Sequence, residues 1–385
     1  MSAERIQMVD LHGQYLRLKG EIDAAMQSVI DSCAFINGNQ VKSFTFHLAD
    51  YLNVPFVVPC GNGTDALQIA LMALELKPGD EVILPAFTYV AAVEVVVMLG
   101  MTPVLVDVSS ETFNINTSKI ESAISDKTKA IIVVHLFGQT CDMESVMALA
   151  KEYHLYVIED NAQSMGADYK YSDGRKKKAG TIADIGTTSF FPSKPLACYG
   201  DGGALYTSDE SLAEKSRMIA NHGQQTKYHH KLIGCNSRLD TLQAAILDVK
   251  LKYMADFIEA RTRAAEFYDW AFSDFEELLV PMRVPYSTHV FHQYTVRIRS
   301  GKRDFVQRYL KELGIPSMIY YPLPVQAQEA YKKVTREGGD LTESVRLCKE
   351  VLSLPMHTEL AESEQQYIVE KIKEALQAAS EHGEK

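Results

Sequence analysis

A doubly wound α/β domain followed by a smaller α+β domain is the fold class this sequence predicts, on three observations. Strand-like apolar runs alternate with helical patterns from Phe56 to Thr207. Several runs are apolar on consecutive rather than alternate residues, as strands are when helices cover both faces of a mostly parallel sheet. The chain has 385 residues, too many for one small core.

The elements follow in chain order. Residues 14–30 and 40–52 read as amphipathic helices leading into the main domain. The strand candidates are Phe56–Pro59, Val82–Pro85, Pro103–Val108, Ala130–His135, Tyr156–Glu159, Thr187–Phe191 and Ala204–Thr207. Their alternation with helices at this spacing argues for a doubly wound sheet. Residues 240–275 form one long helical stretch that links two domains, assigned to residues 1–250 and 251–385. Beyond it, Gln293–Arg299 and Ser317–Tyr321 are strand candidates, flanked by helices at 302–313 and 363–380.

Composition narrows the function classes. The net charge of −11 opposes a nucleic-acid backbone but leaves room for one local phosphate pocket. The six cysteines are scattered with no CxxC pair, so neither a zinc cage nor a redox motif is indicated. The start Met1-Ser2-Ala3-Glu4 is not a signal peptide, and no apolar run has the length of a membrane helix. These features together predict a cytoplasmic protein.

Three motifs carry chemistry. Cys60-Gly61-Asn62-Gly63-Thr64-Asp65-Ala66-Leu67 follows an apolar strand and opens a helix over Ala66–Leu76. Glycines admit a ligand close to the backbone, and a helix start offers unpaired N–H groups to a phosphate. The same residues match the dinucleotide fingerprint G-x-G-x-x-A, for which Glu81 would be the acid, and they also suit an ordinary strand–helix turn. Val157-Ile158-Glu159-Asp160-Asn161-Ala162-Gln163-Ser164 ends a strand in two acids. Asp160 there either pairs with a cationic ring nitrogen or caps the next helix. Ser189-Phe190-Phe191-Pro192-Ser193-Lys194 places one lysine between an apolar strand and the glycine-rich turn Gly200-Asp201-Gly202-Gly203. A desolvated lysine has a lowered pKa and can attack an aldehyde to form a Schiff base. Most lysines are solvated surface residues, and only the order of the three motifs lifts Lys194 above that reading.

Together with Pro85-Ala86-Phe87-Thr88-Tyr89 and Asn236-Ser237-Arg238-Leu239-Asp240-Thr241-Leu242-Gln243, these residues resemble the fold-type I pyridoxal-phosphate enzymes. More narrowly they resemble the DegT/StrS family of nucleotide-sugar aminotransferases, over nearly the whole chain. The resemblance implies pyridoxal 5'-phosphate as cofactor, with Lys194 as its attachment point and proton shuttle. It implies Asp160 on the pyridine nitrogen, Gln163 near the ring oxygen and Tyr89 stacked on the ring. Gly63, Thr64 and Ser189 would hold the phosphate, with Asp65 beside them. It also implies a homodimer with shared active sites, in which Asn236 reaches the neighbouring subunit's phosphate.

Within the family the runs Phe190–Gly203 and Asn236–Leu247 look most like the UDP-2-acetamido-2-deoxy-3-oxo-glucuronate aminotransferases of surface-polysaccharide synthesis, which use glutamate as donor. Arg238 is then the residue for the sugar carboxylate, and His229, Tyr320 and Tyr321 are further substrate candidates. Relatives carry a histidine where this chain has Tyr320, which keeps a neutral dTDP-linked 3-keto-6-deoxy or 4-keto sugar as the alternative acceptor. A non-catalytic cofactor-binding regulator is the other alternative.

Remaining features have blander readings. Adjacent His229 and His230 cannot both face one site in a regular element, so no metal is expected. Arg175-Lys176-Lys177-Lys178 after Asp173-Gly174 reads as a hairpin tip sooner than a nucleotide clamp. Cys60 and Cys198 read as packing residues. His135 either approaches the cofactor or is a satisfied structural histidine.

Overall fold

The computed structural model describes residues 6–383, so the N-terminal Met1–Glu4 stretch read above lies outside it. The helices are α1 (Leu11–Ser32), α2 (Asn39–Leu52), α3 (Gly63–Ala73), α4 (Ala91–Met98), α5 (Met143–Tyr153), α6 (Glu210–Ala220), α7 (Thr241–Leu251), α8 (Met254–Ala271), α9 (Arg303–Glu312), α10 (Thr342–Glu350) and α11 (Glu362–Gly383). The strands are β1 (Phe56–Cys60), β2 (Glu81–Pro85), β3 (Thr102–Val106), β4 (Thr128–Val134), β5 (Tyr156–Asp160), β6 (Asp168–Lys170), β7 (Lys176–Lys178), β8 (Ile185–Ser189), β9 (Gly203–Thr207), β10 (Gln224–Thr226), β11 (His229–His230), β12 (Leu278–Leu279), β13 (Tyr294–Ile298), β14 (Arg336–Glu337) and β15 (Val351–Leu354).

The central sheet runs β1-β9-β8-β5-β4-β2-β3-β14. Only β9 is antiparallel to its neighbours. All seven predicted main-sheet strands are present within about two or three residues of their expected ends, a normal margin for boundaries. Val82, Ile83, Leu84, Ile131, Ile132 and Val133 are fully buried, which is why these runs show no polar alternation. This is the mostly parallel, helix-flanked sheet expected of a fold-type I transferase.

Two expectations fail. Residues 240–275 are not one helix, because the chain breaks between Leu251 and Met254. Ser317–Tyr321 is not a strand: only Met318 pairs, as an isolated bridge to Ser353. A strand the pattern did not show, β15, instead pairs with β13, which lies between it and β12 in a three-stranded sheet. Its residues Val351–Leu354 are all buried, although they follow a helix without a turn residue between. The C-terminal part also returns to the main sheet through β14, and Val325, Leu341 and Leu347 pack into the main core.

Candidate active site

The carboxyl ends of the parallel strands open onto one cavity of about 450 Å³. Ligands in open α/β sheets bind at such ends. Gly63, Thr64, Tyr89, Asp160, Gln163, Ser189, Lys194, Tyr320 and Tyr321 all line it. Five distant stretches of sequence are thereby brought together, four of them by the order of the strands and the fifth, Tyr320–Tyr321, from the C-terminal part.

The phosphate end is built by α3. Asn62 caps this helix, and its side chain accepts the Asp65 N–H at 2.8 Å, while its carbonyl takes that of Ala66. The helix thus begins at Gly63, three residues earlier than the sequence pattern placed it, and the N–H groups of Gly63 and Thr64 are left for a ligand. A Cβ on Gly63 would sit 2.7 Å from the Ser189 Cβ, so only glycine allows the two sides of the cradle to close. Asp65 is the exception among the predicted residues of this loop. It does not line the cavity; its carboxylate accepts the Ser237 hydroxyl at 2.6 Å, and that oxygen in turn accepts the Gly61 N–H at 2.8 Å. Its part is to tie the loop to residue 237. The dinucleotide reading also fails, because Glu81 lies at the other end of β2 and is bound by Ser125 and Arg336.

Lys194 and Asp160 face each other electrostatically across the cavity floor. Lys194 can be reached from the cavity, yet it is surrounded by protein. Desolvation lowers its pKa to about 8, against the opposing pull of the Asp160 carboxylate. Burial pushes Asp160 up, opposed by the Ala162 N–H, by Lys194 and by His135. Burial moves both groups toward neutrality, and a cationic ring nitrogen beside Asp160 would favour its anion. Asp160 also accepts the Ala162 N–H at 3.0 Å, which fixes its carboxyl at the strand end.

Gln163 accepts the Phe137 N–H at 2.9 Å and donates to the Tyr321 hydroxyl at 3.3 Å. Tyr321 is set between Phe87 and Tyr89, with ring centroids 5.9 and 6.2 Å away, and burial raises its pKa. Tyr89 itself is more than half exposed and so presents a free ring face to the cavity. Cavity residues outside the predicted set include Phe137, Phe191, His292 and Gln293. His292 is buried, and desolvation with Lys194 and Arg261 nearby holds its pKa well below the usual histidine range. A lone histidine before a strand gave no signal of this.

The fit to pyridoxal phosphate rests on this geometry. A glycine-tight helix start suits the phosphate, a buried acid suits the ring nitrogen, and a desolvated lysine suits the aldehyde. Bound there, the cofactor supplies an electron sink and carries the amino group.

The sequence profile of the DegT/DnrJ/EryC1/StrS aminotransferase family matches residues 17–373. The chain belongs to that family. Members of the family use pyridoxal phosphate, and this chain is a pyridoxal-phosphate-dependent aminotransferase. It is 45% identical to the "Pleiotropic regulatory protein" of Geobacillus stearothermophilus, over 96% of this chain and 98% of that one. It is 44% identical to the UDP-2-acetamido-2-deoxy-3-oxo-D-glucuronate aminotransferase of Pseudomonas aeruginosa, over 91% and 95%. A dTDP-3-amino-3,6-dideoxy-alpha-D-galactopyranose transaminase of Aneurinibacillus thermoaerophilus is 39% identical, over 95% and 98%. Among solved structures, a family aminotransferase from Brucella abortus superposes with a TM-score of 0.91 at 39% identity, covering 96% of this chain and 99% of that one.

The remaining predicted residues lie away from this cavity. His229 sits in the exposed hairpin of β10 and β11, where Tyr228 is also exposed. Asn236 is exposed and Arg238 half-buried, and neither lines the cavity. Arg175 pairs with Asp173 at the tip of the β6–β7 hairpin. Burial raises the thiol pKa of Cys198 to about 11 and raises that of Cys60, which keeps both as packing groups. No helix among the described residues is long and apolar enough to cross a membrane, and no cluster of three or more metal-ligating side chains occurs among them.

Proposed function

We propose that this enzyme transfers an amino group from glutamate to C3 of a UDP-linked 2-acetamido-3-keto-hexuronate, in the cytoplasm, for surface-polysaccharide synthesis. Lys194 is the attachment point and carries the proton at its Nζ. Asp160 holds the ring nitrogen, Tyr89 covers the ring, Gln163 lies by the ring oxygen, and Gly63, Thr64 and Ser189 hold the phosphate. The convergence of Lys194 and Asp160 on the helix-start cradle carries this reading of the chemistry.

The substrate reading rests on charge. Lys194 is the only cation among the cavity's lining residues, so a sugar carboxylate needs a cation from elsewhere. Arg238 makes no ion pair with any described residue and remains available. It reaches a cavity only in a homodimer, where Asn236 and Arg238 of one copy serve the other. Exposed Phe35 and Ile36 adjoin this segment, since Ile36 bridges Asp240, and they support an interface there. Tyr320 and Tyr321 complete the sugar side, and His229, away from its own cavity, would serve only the other copy's. The relative that acts on the oxo-glucuronate supports the uronate, while the dTDP-sugar relative supports the neutral sugar as second reading.

Turnover with glutamate and a panel of UDP- and dTDP-keto sugars tests the proposal. Arg238→Ala is expected to impair the uronate far more than a neutral analogue. Equal losses on both, or faster wild-type turnover of the neutral sugar, would overturn the uronate. No turnover of any sugar by cofactor-loaded protein would favour a regulator, the role in the name of the Geobacillus relative.

A further inference from the structure

We propose that the buried pair Glu159–His135 positions Asp160 for catalysis by clamping together the three chain segments that converge on the cavity. Side chains alternate along a strand. Asp160 lines the cavity, so Glu159 and Asn161 on either side of it point to the opposite face of the sheet. Glu159 is fully buried there. A buried carboxylate is retained at a cost unless every lone pair is used.

Here every one is used. Oε1 accepts the N–H groups of Ile182 and Ala183, both at 2.7 Å. Oε2 accepts the Gly180 N–H at 2.8 Å and His135 Nε2 at 2.8 Å. His135 Nδ1 accepts the Cys141 N–H at 3.2 Å, so the ring proton must sit on Nε2, where it points at Glu159. Four donors and no acceptor surround this carboxyl group.

The anchors are what make this more than a satisfied core group. His135 closes β4, and its backbone N–H donates to the Asp160 carbonyl at 3.1 Å. Two residues on, Phe137 fixes Gln163. Residues 180–183 lead into β8, which ends at Ser189 and is followed by the Lys194 turn. Asn161 adds a second tie on the same face, its side-chain Nδ2 donating to the Ala179 carbonyl at 2.8 Å, while its backbone N–H donates to the Thr187 carbonyl at 2.8 Å. One carboxylate thus joins the exit of β4, the end of β5 and the entry to β8. A packed apolar residue would fill the space, but it would set no register among the three segments. Reacting groups must be held to within a fraction of an ångström, and such support is supplied by the layer behind them.

The inference rests on Asp160 acting at the ring nitrogen, which Asp160→Asn tests by itself. Glu159→Gln keeps the shape but sets an amide NH₂ against the Gly180 and His135 donors. In the cofactor-loaded enzyme we expect kcat to fall ten- to about a hundredfold with KM changed less than about twofold. The pH at which the visible absorbance of the loaded enzyme changes should also shift. Placed on Asp160→Asn, the same change should cost no further rate, because its effect runs through Asp160. His135→Phe should repeat the loss, and His135→Gln, which restores an N–H donor, should recover part of it. A wild-type rate and absorbance profile in Glu159→Gln, or losses that multiply with those of Asp160→Asn, would overturn the proposal. So would failure of both the Glu159 and His135 variants to fold, which would leave a purely structural role.

Discussion

Two lysines are pushed down to a pKa of about 8 by the same force, burial, and only one of them lies in a site. Lys194 lies at the floor of a cavity, opposite an acid and a phosphate cradle. Lys250 lies on α7 with 1% exposure, its ammonium 4.4 Å from the centre of the Tyr199 ring and no hydrogen-bond partner. A ring face compensates part of the desolvation of an ammonium. It does not line the active-site cavity, and no carboxylate among the described residues pairs with it. A perturbed pKa therefore marks a candidate; a ligand-sized space and a converging set of complementary groups decide the case.

The sharpest way to break this contrast is to delete each lysine. Lys194→Ala is expected to abolish turnover, since no other amine lines the cavity. Lys250→Met is expected to keep turnover within about twofold, because Lys250 does not line the cavity. Borohydride reduction of the loaded enzyme followed by peptide mapping should place the label on Lys194. A label on Lys250, or residual turnover in Lys194→Ala, would reverse the assignment.

The acid is the next largest effect. Asp160→Asn keeps the shape and the Ala162 contact but removes the charge that answers a protonated ring nitrogen. A loss of about 3 kcal/mol, or roughly a hundredfold in kcat, is expected with cofactor still bound. Steady-state kinetics beside a cofactor titration separates the two quantities. Near-normal kcat would show that the ring nitrogen finds its partner elsewhere.

A smaller effect should come from outside the subunit. Asn236→Ala is expected to weaken cofactor binding by about tenfold, the worth of one hydrogen bond to a charged group. Dilution of the wild type below its dimer dissociation constant should produce the same weakening. Sedimentation and cofactor absorbance measured on one dilution series check this, and a strictly monomeric active enzyme would contradict it.

How much of this could be read from the sequence depended on the kind of signal. The main strands were legible because burial on both faces writes itself as consecutive apolar residues, as in Val82-Ile83-Leu84. That Lys194, Asp160 and Gly63 lie at the cavity was legible because each ends a strand or follows one closely, beside residues with restricted backbone roles. Asp65 was misread because a loop motif does not say which side chains turn inward, and here Ser237 draws the carboxylate away. The break after Leu251 was hidden since Lys252 and Tyr253 do not interrupt a helical pattern. β15 was hidden by the absence of any turn residue after α10. His292 and the Glu159 clamp were invisible for a different reason: their meaning lies in partners over twenty residues away, which no local spacing encodes.

The last prediction returns to the two lysines and reads them through stability instead of turnover. In the unfolded chain a lysine keeps its proton up to about pH 10.5, whereas in the folded, cofactor-free protein both release it near 8. Between those values the unfolded state binds more protons, so stability rises with pH, by at most about 1.4 kcal/mol per pH unit for each lysine. Below pH 8 the burial penalty is present in full. Buried tyrosines and thiols such as Tyr206 and Cys198 act in the opposite sense at higher pH, because their folded pKa values are raised. The raw curve therefore mixes both signs, and only a difference curve isolates the lysines. Chemical unfolding of cofactor-free wild type and Lys250→Met at a series of pH values from 7 to 10 supplies it. The variant should be the more stable of the two at pH 7, with its advantage shrinking as pH rises. A constant difference would show that Lys250 stays charged in the fold, held by the Tyr199 ring. The same subtraction for Lys194→Met should shrink over the same pH range, because the opposing pull of Asp160 is already contained in its pKa of about 8.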